Sequence, residues 1–291
     1  MENNNISMEE IQKSNSIIKS ISIYYTSRIV GQKNLQMSLL ISLIANGHIL
    51  VESVPGLAKT TAEFETKIGP VCANFVLLDE VNRSSSKTQS AMLEAMQERQ
   101  VSIGGENYKL PEIFIVIATQ NPIEQEGTYL LSEAQQDRFL IKETLNYPTA
   151  NEELEILNRI ENNIFEEKQK VVNLKDIKYL QDLSKKVYID ESIKKYLISI
   201  VYATRNASKV IKPELAKYVT NGASTRATIA FMEASKAVAI INGRTYVTPD
   251  DIKLLSHSIL RHRISLNFEA IADEVHIETI IDAIIASIKA P

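Results

Sequence analysis

Residues 53–60, SVPGLAKT, approximate the phosphate-loop pattern G-x-x-x-x-G-K-[ST]. In that pattern glycines let backbone N–H groups approach the phosphates, the lysine reaches the terminal phosphates, and the hydroxyl ligates magnesium. Gly56, Lys59 and Thr60 hold their places, whereas serine and alanine replace the two outer glycines. An ordinary turn between a strand and a helix explains the match equally well. The preceding buried strand favours a phosphate site, because the next helix would direct its N-terminus at the phosphate.

An acidic pair, Asp79 and Glu80, ends the apolar run FVLLDE. A carboxylate at the end of a buried strand could hold a magnesium shell, and a second could polarise an attacking water. An isolated Asp-Glu pair is more often an acidic strand end in a turn. Next to a phosphate loop we favour the catalytic interpretation.

Three further polar residues could face a phosphate. Asn121 in ATQNP could orient water beside the terminal phosphate, although an Asn-Pro pair also forms turns. Arg138 follows a short helix in EAQQDRF, and a surface salt bridge is its alternative role. Arg226 in GASTRA lies just inside a predicted helix start, where a cation is unfavourable unless something anionic faces it. We take that misfit as mild evidence for phosphate contact.

These residues require a scaffold of strands and helices. The first half contains three apolar runs that predict buried strands, HILVE, NFVLLDE and FIVIATQN, and LIKETLNY predicts a fourth strand, with helical patterns between them. Ser7 and Glu10 form a capping-box pattern that opens the first helix. Gly104 and Gly105 predict a hairpin turn. Continuous apolar strands that alternate with helices predict a parallel sheet covered on both faces.

From Tyr147 onwards strand signals nearly vanish and capped helices follow one another, the first opened by Thr149 and Glu152. We therefore predict two domains, residues 1–147 and 148–291, of which the second is helical.

Composition excludes several classes of protein. A formal net charge of -4 over 291 residues argues against a chain built to coat nucleic acid or anionic lipid. Cys72 is the single cysteine, so an internal disulfide is excluded, and no apolar run reaches the ~20 residues of a membrane span. We expect a cytoplasmic protein without a membrane span, and the acidic charge balance argues against nucleic acid as a partner.

Together these stretches resemble the MoxR family of AAA+ ATPases, over residues 30–264 and most specifically over 69–139. The motifs that carry the resemblance are the phosphate loop, LLDEVNRSSSKTQSAMLEAMQERQVSIGG, ATQNPIEQEGTYLLSEAQQDRF and GASTRA. The resemblance implies an α/β fold, a P-loop AAA+ core with a parallel sheet between helices, followed by a smaller all-α lid. It also implies ATP and Mg2+ as cofactors, assembly as a homo-oligomer, a hexameric ring, and chaperone-like action on partners with von Willebrand factor A domains.

The resemblance assigns roles to individual residues. Glu80 matches the water-activating acid, Asn121 the sensor that reads the terminal phosphate, and Arg138 the arginine finger that completes a neighbouring subunit's site. Arg226 matches the lid arginine called sensor two, and residues 30–32 the segment beside the adenine. The residues expected to contact the nucleotide are Gly31, Gln32, Val54, Pro55, Gly56, Leu57, Ala58, Lys59, Thr60, Thr61 and Arg226. Those expected to hold the metal are Thr60 and Asp79.

Two departures from the family pattern are visible. Ser53 stands where glycine is expected, which costs on the order of 1 kcal/mol if that position needs positive φ. A helix and an edge strand are missing between Thr61 and Gly69, although the stretch from Thr61 to Asn74 just meets the minimum length of a parallel crossover. Either the chain is truly shortened, or the sequence joins two stretches that further residues separate in the natural chain. We favour the second explanation.

Two hypotheses from different classes follow. The first is an AAA+ ATPase that hydrolyses Mg-ATP at subunit interfaces and acts as a chaperone. The second is a catalytically impaired scaffold that acts as a protein-interaction module, motivated by Ser53 and the short crossover. A DNA-remodelling AAA+ protein is a weaker third alternative, which the acidic charge balance disfavours.

Overall fold

The computed structural model describes residues 6–53, 73–103, 106–121, 131–162 and 172–291. The predicted phosphate-loop residues 54–61, the segment between Thr61 and Gly69 and the hairpin turn at residues 104–105 lie outside these ranges. Predictions about them therefore stay predictions.

The described helices and strands follow in chain order. The helices are α1 (Met8–Arg28), α2 (Lys33–Ile44), α3 (Ser86–Glu98), α4 (Glu133–Gln136), α5 (Ala150–Glu161), α6 (Leu174–Lys186), α7 (Glu191–Arg205), α8 (Ala207–Val210), α9 (Pro213–Ala216), α10 (Thr225–Ile241), α11 (Pro249–Leu260), α12 (Phe268–Ala272) and α13 (Ile277–Ser287). The strands are β1 (Ile49–Ser53), β2 (Phe75–Leu78), β3 (Gln100–Ile103), β4 (Glu106–Lys109), β5 (Ile115–Gln120), β6 (Ile141–Leu145), β7 (Val219–Asn221) and β8 (Ser265–Leu266). A short 3-10 turn covers Val81–Arg83.

The central sheet has four strands in the order β2-β5-β1-β6. The candidate site residues Asp79, Glu80 and Asn121 directly follow two of these strands, β2 and β5. Strand β5 pairs in parallel with both β2 and β1. Ile49 and Leu50 on β1 and Val116 on β5 are fully buried, as expected for a sheet that is covered on both faces. The predicted α/β class with a parallel sheet is confirmed.

The predicted capping boxes form. The Ser7 backbone N–H donates to Glu10 Oε2 at 2.8 Å, and the Glu10 N–H donates to Ser7 Oγ at 3.1 Å at the start of α1. The same reciprocal pair joins Thr149 and Glu152 at the start of α5. Each box satisfies helix N–H groups that have no partner inside the helix. Both helix starts are therefore determined by residues three positions apart.

The chain divides into two compact units, and each includes segments that are distant in sequence. The first contains Met1–Ser14, Glu133–Lys142 and Asp182–Pro291, and the second contains Asn15–Ser132 and Glu143–Gln181. We call them the helical unit and the sheet unit. Residues 133–142 belong to the helical unit, although they precede the boundary that we predict near Tyr147. That boundary stays a prediction.

The helical unit is built around α10. Buried alanines at positions 227, 230, 234 and 237 line one face of α10, which packs on α11 and α7. Small side chains at this spacing let neighbouring helices approach closely along the i, i+3 and i, i+4 rows.

Sequence patterns missed the short pair formed by β7 and β8. This pair is antiparallel, and Asn267 at its end donates its backbone N–H to the Tyr218 carbonyl at 2.9 Å. Strands of two or three residues carry too little periodicity to be recognised, so tertiary contacts determine them.

In the described part of the chain no helix is both long and apolar enough to cross a membrane.

Candidate functional site

The carboxyl ends of β2 and β5 lie side by side in the sheet unit. Leu78 pairs with Ala118, so the residues that follow them, Asp79 and Thr119, emerge at the same edge of the sheet. Asn121 follows β5 directly. The structure thus brings Asp79, Glu80 and Asn121 to one edge, because parallel strands present their carboxyl ends together.

Thr119 is the residue that connects the acidic pair. Its buried hydroxyl donates to Asp79 Oδ1 at 2.6 Å and accepts the Glu80 backbone N–H at 2.8 Å. Glu80 has a left-handed backbone, with φ 49° and ψ 54°, a conformation that costs a non-glycine residue roughly 1–2 kcal/mol. Thr119 therefore orients the carboxylate of Asp79 and stabilises the left-handed backbone of Glu80, which determines the direction of the Glu80 side chain.

Two further side-chain hydrogen bonds stabilise the turn after β2, which covers Val81–Arg83. Asn82 is buried and donates from Nδ2 to the Asn121 carbonyl at 3.2 Å. Gln89 on α3 donates from Nε2 to the Val81 carbonyl at 3.0 Å. The turn after β2 is thereby tied both to the end of β5 and to α3.

Glu80 also forms an ion pair with Arg83. The distance from Arg83 Nη1 to Glu80 Oε2 is 3.1 Å, and the Arg83 side chain is 54% exposed. An exposed pair of this kind contributes little to stability. Arg83 could therefore leave Glu80 at little cost.

Replacing Thr119 with Val is expected to lower the free energy of unfolding by about 1–3 kcal/mol. Valine has nearly the same volume, but it leaves Asp79 Oδ1 without this donor and the Glu80 N–H without this acceptor. Urea denaturation of the purified protein measures the change. A Thr119→Ser variant keeps the hydroxyl and is the matched control, expected to lose clearly less. Unchanged stability in Thr119→Val would show that the hydroxyl does not stabilise this turn.

The oxygen donors at this edge suit a hard cation. Among the described residues no group of three or more His, Cys, Asp or Glu side chains could hold a metal ion by itself. Magnesium is usually bound by one or two carboxylates together with phosphate oxygens and water. A single carboxylate held by Thr119 therefore fits Mg2+ if a nucleotide phosphate supplies the other ligands, and the metal-binding role of Asp79 stays a prediction.

A second cluster lies in the helical unit, at the start of α10. Ser224 caps this helix: its Oγ accepts the Arg226 N–H at 3.0 Å, and its hydroxyl donates to Asp137 Oδ2 at 2.7 Å. Arg226 Nη1 donates to the same oxygen at 3.2 Å. Arg226, a cation at an unfavourable position near a helix start, thus has Asp137 of the same chain as its anionic partner. The misfit that we took as evidence for phosphate contact is explained by Asp137.

Charge and hydrogen bonding hold Asp137 ionised. Burial alone would raise the pKa of its carboxyl, but the Ser224 hydroxyl, the charge of Arg263 and the Arg263 and Arg226 hydrogen bonds together lower that pKa below its usual value. The Arg226 side chain is 47% exposed, whereas that of Asp137 is 12% exposed. The arginine is therefore accessible to a ligand, and the carboxylate is largely covered.

Arg138 follows Asp137 in the turn after α4. Its backbone N–H donates to the Gln135 carbonyl at 3.3 Å, and the side chain is half-buried. The next residue, Phe139, is 1% exposed, so its buried side chain anchors the turn. The structure places Arg138 and Arg226 in the same unit, with Asp137 joining their two segments.

The segment predicted to lie beside the adenine has an unusual backbone. Gly31 has φ 63°, a left-handed backbone that glycine adopts without strain, and the end of the Glu152 side chain occupies the space that a Cβ would take. Gln32 is also left-handed, with φ 44°, and donates from Nε2 to the Asn146 carbonyl at 3.0 Å. Gln36 donates to the Gly31 carbonyl at 3.0 Å. Hydrogen bonds from Gln32 and Gln36 thus hold the segment, and its contact with adenine stays a prediction.

The predicted site residues therefore fall into two described groups. Gly31, Gln32, Asp79, Glu80 and Asn121 belong to the sheet unit, and Arg138 and Arg226 to the helical unit. The predicted phosphate-contacting residues 54–61 lie outside the described ranges. The roles of all of them remain predictions.

Sequence reasoning missed Thr119 and Asp137. A hydroxyl near the end of the otherwise apolar strand IVIATQ was the available signal for Thr119. Nothing in the local sequence distinguishes Asp137 from an ordinary surface acid.

Two family models match the chain. Residues 60–141 match the model described as the ATPase family associated with various cellular activities, and residues 215–284 match the AAA lid domain. The first match contains the acidic pair and Arg138, and the second contains Arg226. The fold expected from the resemblance, an AAA+ core followed by a lid, is thereby confirmed.

Relatives cover most of the chain. The chain is 37% identical to the chaperone MoxR1 of Mycobacterium tuberculosis, over 90% of this chain and 79% of that protein. It is 38% identical to the uncharacterised protein YeaC of Bacillus subtilis, over 90% of this chain and 91% of that protein. The alignment with MoxR1 is 300 residues long, but it includes only 90% of the 291 residues of this chain. Within the aligned region this chain therefore lacks residues that MoxR1 has.

A solved structure agrees in fold. The crystal structure of a protein from Cytophaga hutchinsonii, described as a candidate ATPase, superposes with a TM-score of 0.89 at 40% identity and covers 97% of both chains. With these relatives, and with the acidic pair and both arginines inside the matched regions, the chain belongs to the MoxR family of AAA+ ATPases.

Proposed function

We propose that this protein binds and hydrolyses Mg-ATP at interfaces between its own subunits and uses the cycle to act as a chaperone on partner proteins. The observation that carries the proposal is the Thr119 hydroxyl, which holds the side chain of Asp79 and the backbone of Glu80 at the carboxyl ends of neighbouring parallel strands. Such strand ends are where ligands bind in open α/β sheets.

Each acidic residue has a separate task in this proposal. Asp79 would hold magnesium together with Thr60, and Lys59 would bind the terminal phosphates. When bound, the metal neutralises charge that develops on the phosphate oxygens. Glu80 accepts a proton from the attacking water, and Asn121 orients that water from the neighbouring strand.

Assembly of subunits is part of the proposal. Arg138 would stabilise the developing charge in the site of a neighbouring subunit, which requires a homo-oligomer, and we propose a hexameric ring. Arg226 would contact the nucleotide from the lid. The chaperone role is supported by the name of the relative MoxR1, and a protein with a von Willebrand factor A domain is our proposed client.

Mg-ATP at millimolar concentration is expected to raise the melting temperature and to be hydrolysed. A ligand that binds only the folded state stabilises it by about 2.7 kcal/mol at 100 times its dissociation constant. Thermal denaturation and phosphate release measure the two effects. The Lys59→Ala variant is the matched control, expected to show neither.

The alternative is a scaffold that does not respond to nucleotide, which Ser53 and the short crossover favour. An unchanged melting temperature with Mg-ATP would support the scaffold and contradict ATP binding. A raised melting temperature without phosphate release would leave binding intact and contradict catalysis.

A further inference from the structure

Three consecutive residues after α11 hydrogen-bond to the segment that carries Arg138. We call residues 137–142 the finger segment. Arg261, His262 and Arg263 each contact a backbone carbonyl of the finger segment, across more than 100 positions of sequence. The sequence pattern LRHRI is equally compatible with a solvated helix end, with phosphate contact and with a subunit interface, so only the structure identifies this partner.

Arg263 makes the largest share of these contacts. Its Nε donates to Asp137 Oδ1 at 2.8 Å, and its Nη2 donates to the carbonyls of Asp137 at 3.1 Å and Phe139 at 2.6 Å. Its Nη1 donates to the carbonyls of Leu140 at 3.2 Å and Ile259 at 2.6 Å. A guanidinium has five N–H groups, and these five bonds use all of them.

The arrangement encloses Arg138 from both sides. The carbonyls that Arg263 binds belong to residues 137, 139 and 140, immediately before and after Arg138. The remaining bond, from Nη1 to the Ile259 carbonyl, connects the finger segment to the last turn of α11. Carbonyls in the last turn of a helix have no partner inside the helix, and a cation is favourable there. The backbone of Arg138 is thereby tied to the lid helices.

Burial makes this contact costly to lose. The Arg263 side chain is 2% exposed, and burial lowers the pKa of its guanidinium to about 10, while the Asp137 charge acts in the opposite direction. Arg263 is therefore cationic at neutral pH, and its charge is compensated by an ionised carboxylate.

His262 and Arg261 reinforce the same segment. Burial, followed by the charge of Arg263, lowers the pKa of His262 well below its usual value, so the ring is neutral and can donate from Nε2 to the Phe139 carbonyl at 3.2 Å. Arg261 donates from Nη1 to the Lys142 carbonyl and from Nε to Glu278, both at 2.9 Å.

We propose that Arg263 is a positioning residue for Arg138: by binding the carbonyls on either side of Arg138, it determines where the Arg138 backbone lies within the helical unit. The inference rests on the proposed function, since it assumes that Arg138 acts on ATP. A catalytic cation must be held to within about 0.5 Å, and a displacement of about 1 Å can cost 100-fold in rate. Asp137 accepts hydrogen bonds from both Arg226 and Arg263, so Arg226 belongs to the same hydrogen-bonded cluster as the finger segment.

The test is ATP turnover by an Arg263→Lys variant. Lysine keeps the positive charge opposite Asp137, but its ammonium group has three N–H donors and cannot make the five hydrogen bonds of the guanidinium. The finger segment is therefore expected to be held less precisely. We expect kcat to fall about 10- to 100-fold while KM and the dissociation constant for ATP change less than about twofold, because the finger acts in the transition state. Wild-type kcat in a folded Arg263→Lys protein would overturn the inference.

Arg244→Lys is the matched control. Arg244 also forms a fork with a buried carboxylate, Asp251, with N–O distances of 2.8 and 2.5 Å, but its partners do not include the finger segment. We expect it to lower the melting temperature and to leave kcat unchanged. An equal fall in kcat in both variants would mean that Arg263 acts only through general stability.

A double variant separates this inference from the proposed function. Arg138→Ala combined with Arg263→Lys should turn over no more slowly than Arg138→Ala alone, whereas a further fall would overturn the inference. Should Arg263→Lys fail to fold, Asp137→Asn keeps the side-chain shape and removes the charge that faces Arg263, and wild-type kcat in this variant would overturn the inference. Because Asp137 also binds Arg226, the dissociation constant for ATP is expected to change in this variant. If the wild type does not hydrolyse ATP, or if Arg138→Ala retains full turnover, the proposed function has failed.

Discussion

Replacing Glu80 with Gln is expected to leave Mg-ATP binding intact and to lower turnover by about 10²- to 10⁴-fold, the range attributed to a general base. Glutamine has almost the same size, and the backbone N–H that donates to Thr119 is unchanged, so the turn after β2 keeps its geometry. The amide cannot accept the proton of the attacking water. The lost ion pair with Arg83 is exposed and adds little to the effect.

Phosphate release measures turnover, and a fluorescent ATP analogue measures binding separately. Glu191→Gln is the matched control, because Glu191 also pairs with a cation, Lys195 at 2.7 Å, on the exposed face of α7. We expect this control to behave as wild type. Unchanged turnover in Glu80→Gln would refute the role of Glu80, and lost binding would show that the side chain holds the nucleotide instead.

Replacing Arg138 with Ala is expected to lower kcat by about 10³-fold or more, the range typical of arginine fingers. The removed charge acts on the transition state, so KM should change far less than kcat. Because we assign Glu80 and Arg138 of a single site to different subunits, mixing Arg138→Ala subunits with Glu80→Gln subunits should restore part of the activity. In such a mixture some sites combine an intact Glu80 with an intact Arg138.

The control for this mixing experiment is a subunit that carries both substitutions. Mixed with Arg138→Ala, it supplies no intact finger, and activity should stay at the level of the single variant. Rescue in this control would point to contaminating wild type. Absence of rescue in the first mixture, with assembly verified by size-exclusion chromatography, would place Arg138 in the site of its own subunit.

Much of the sheet unit follows from short-range patterns. The apolar runs around Leu50 and Val116 predict buried parallel strands, and Asp79, Glu80 and Asn121 follow their strands directly. Parallel strands end at the same edge of a sheet, so the sequence predicts that these side chains share that edge, whereas the order β2-β5-β1, which makes β2 and β5 neighbours, came from the structure. The capping boxes were equally visible, because their partners are three residues apart.

The hydrogen bonds that orient these residues were not visible in the sequence. Thr119 contacts Asp79 because β2 and β5 pair in a specific register, and a shift by one residue would turn its hydroxyl to the other face of the sheet. Register is decided when the strands pack. A lone Thr in an apolar strand therefore signals a polar contact without identifying the partner.

The sequence by itself determined the α/β class, the family resemblance and the residue types at the strand ends, since periodicity, caps and motifs act over a few positions. Only the tertiary structure decided that residues 133–142 group with the C-terminal helices, and that Arg263 binds Asp137 across 126 positions. The physical reason is the cost of burying charge. A guanidinium that leaves water must find acceptors for its five N–H groups, and packing determines which carbonyls supply them.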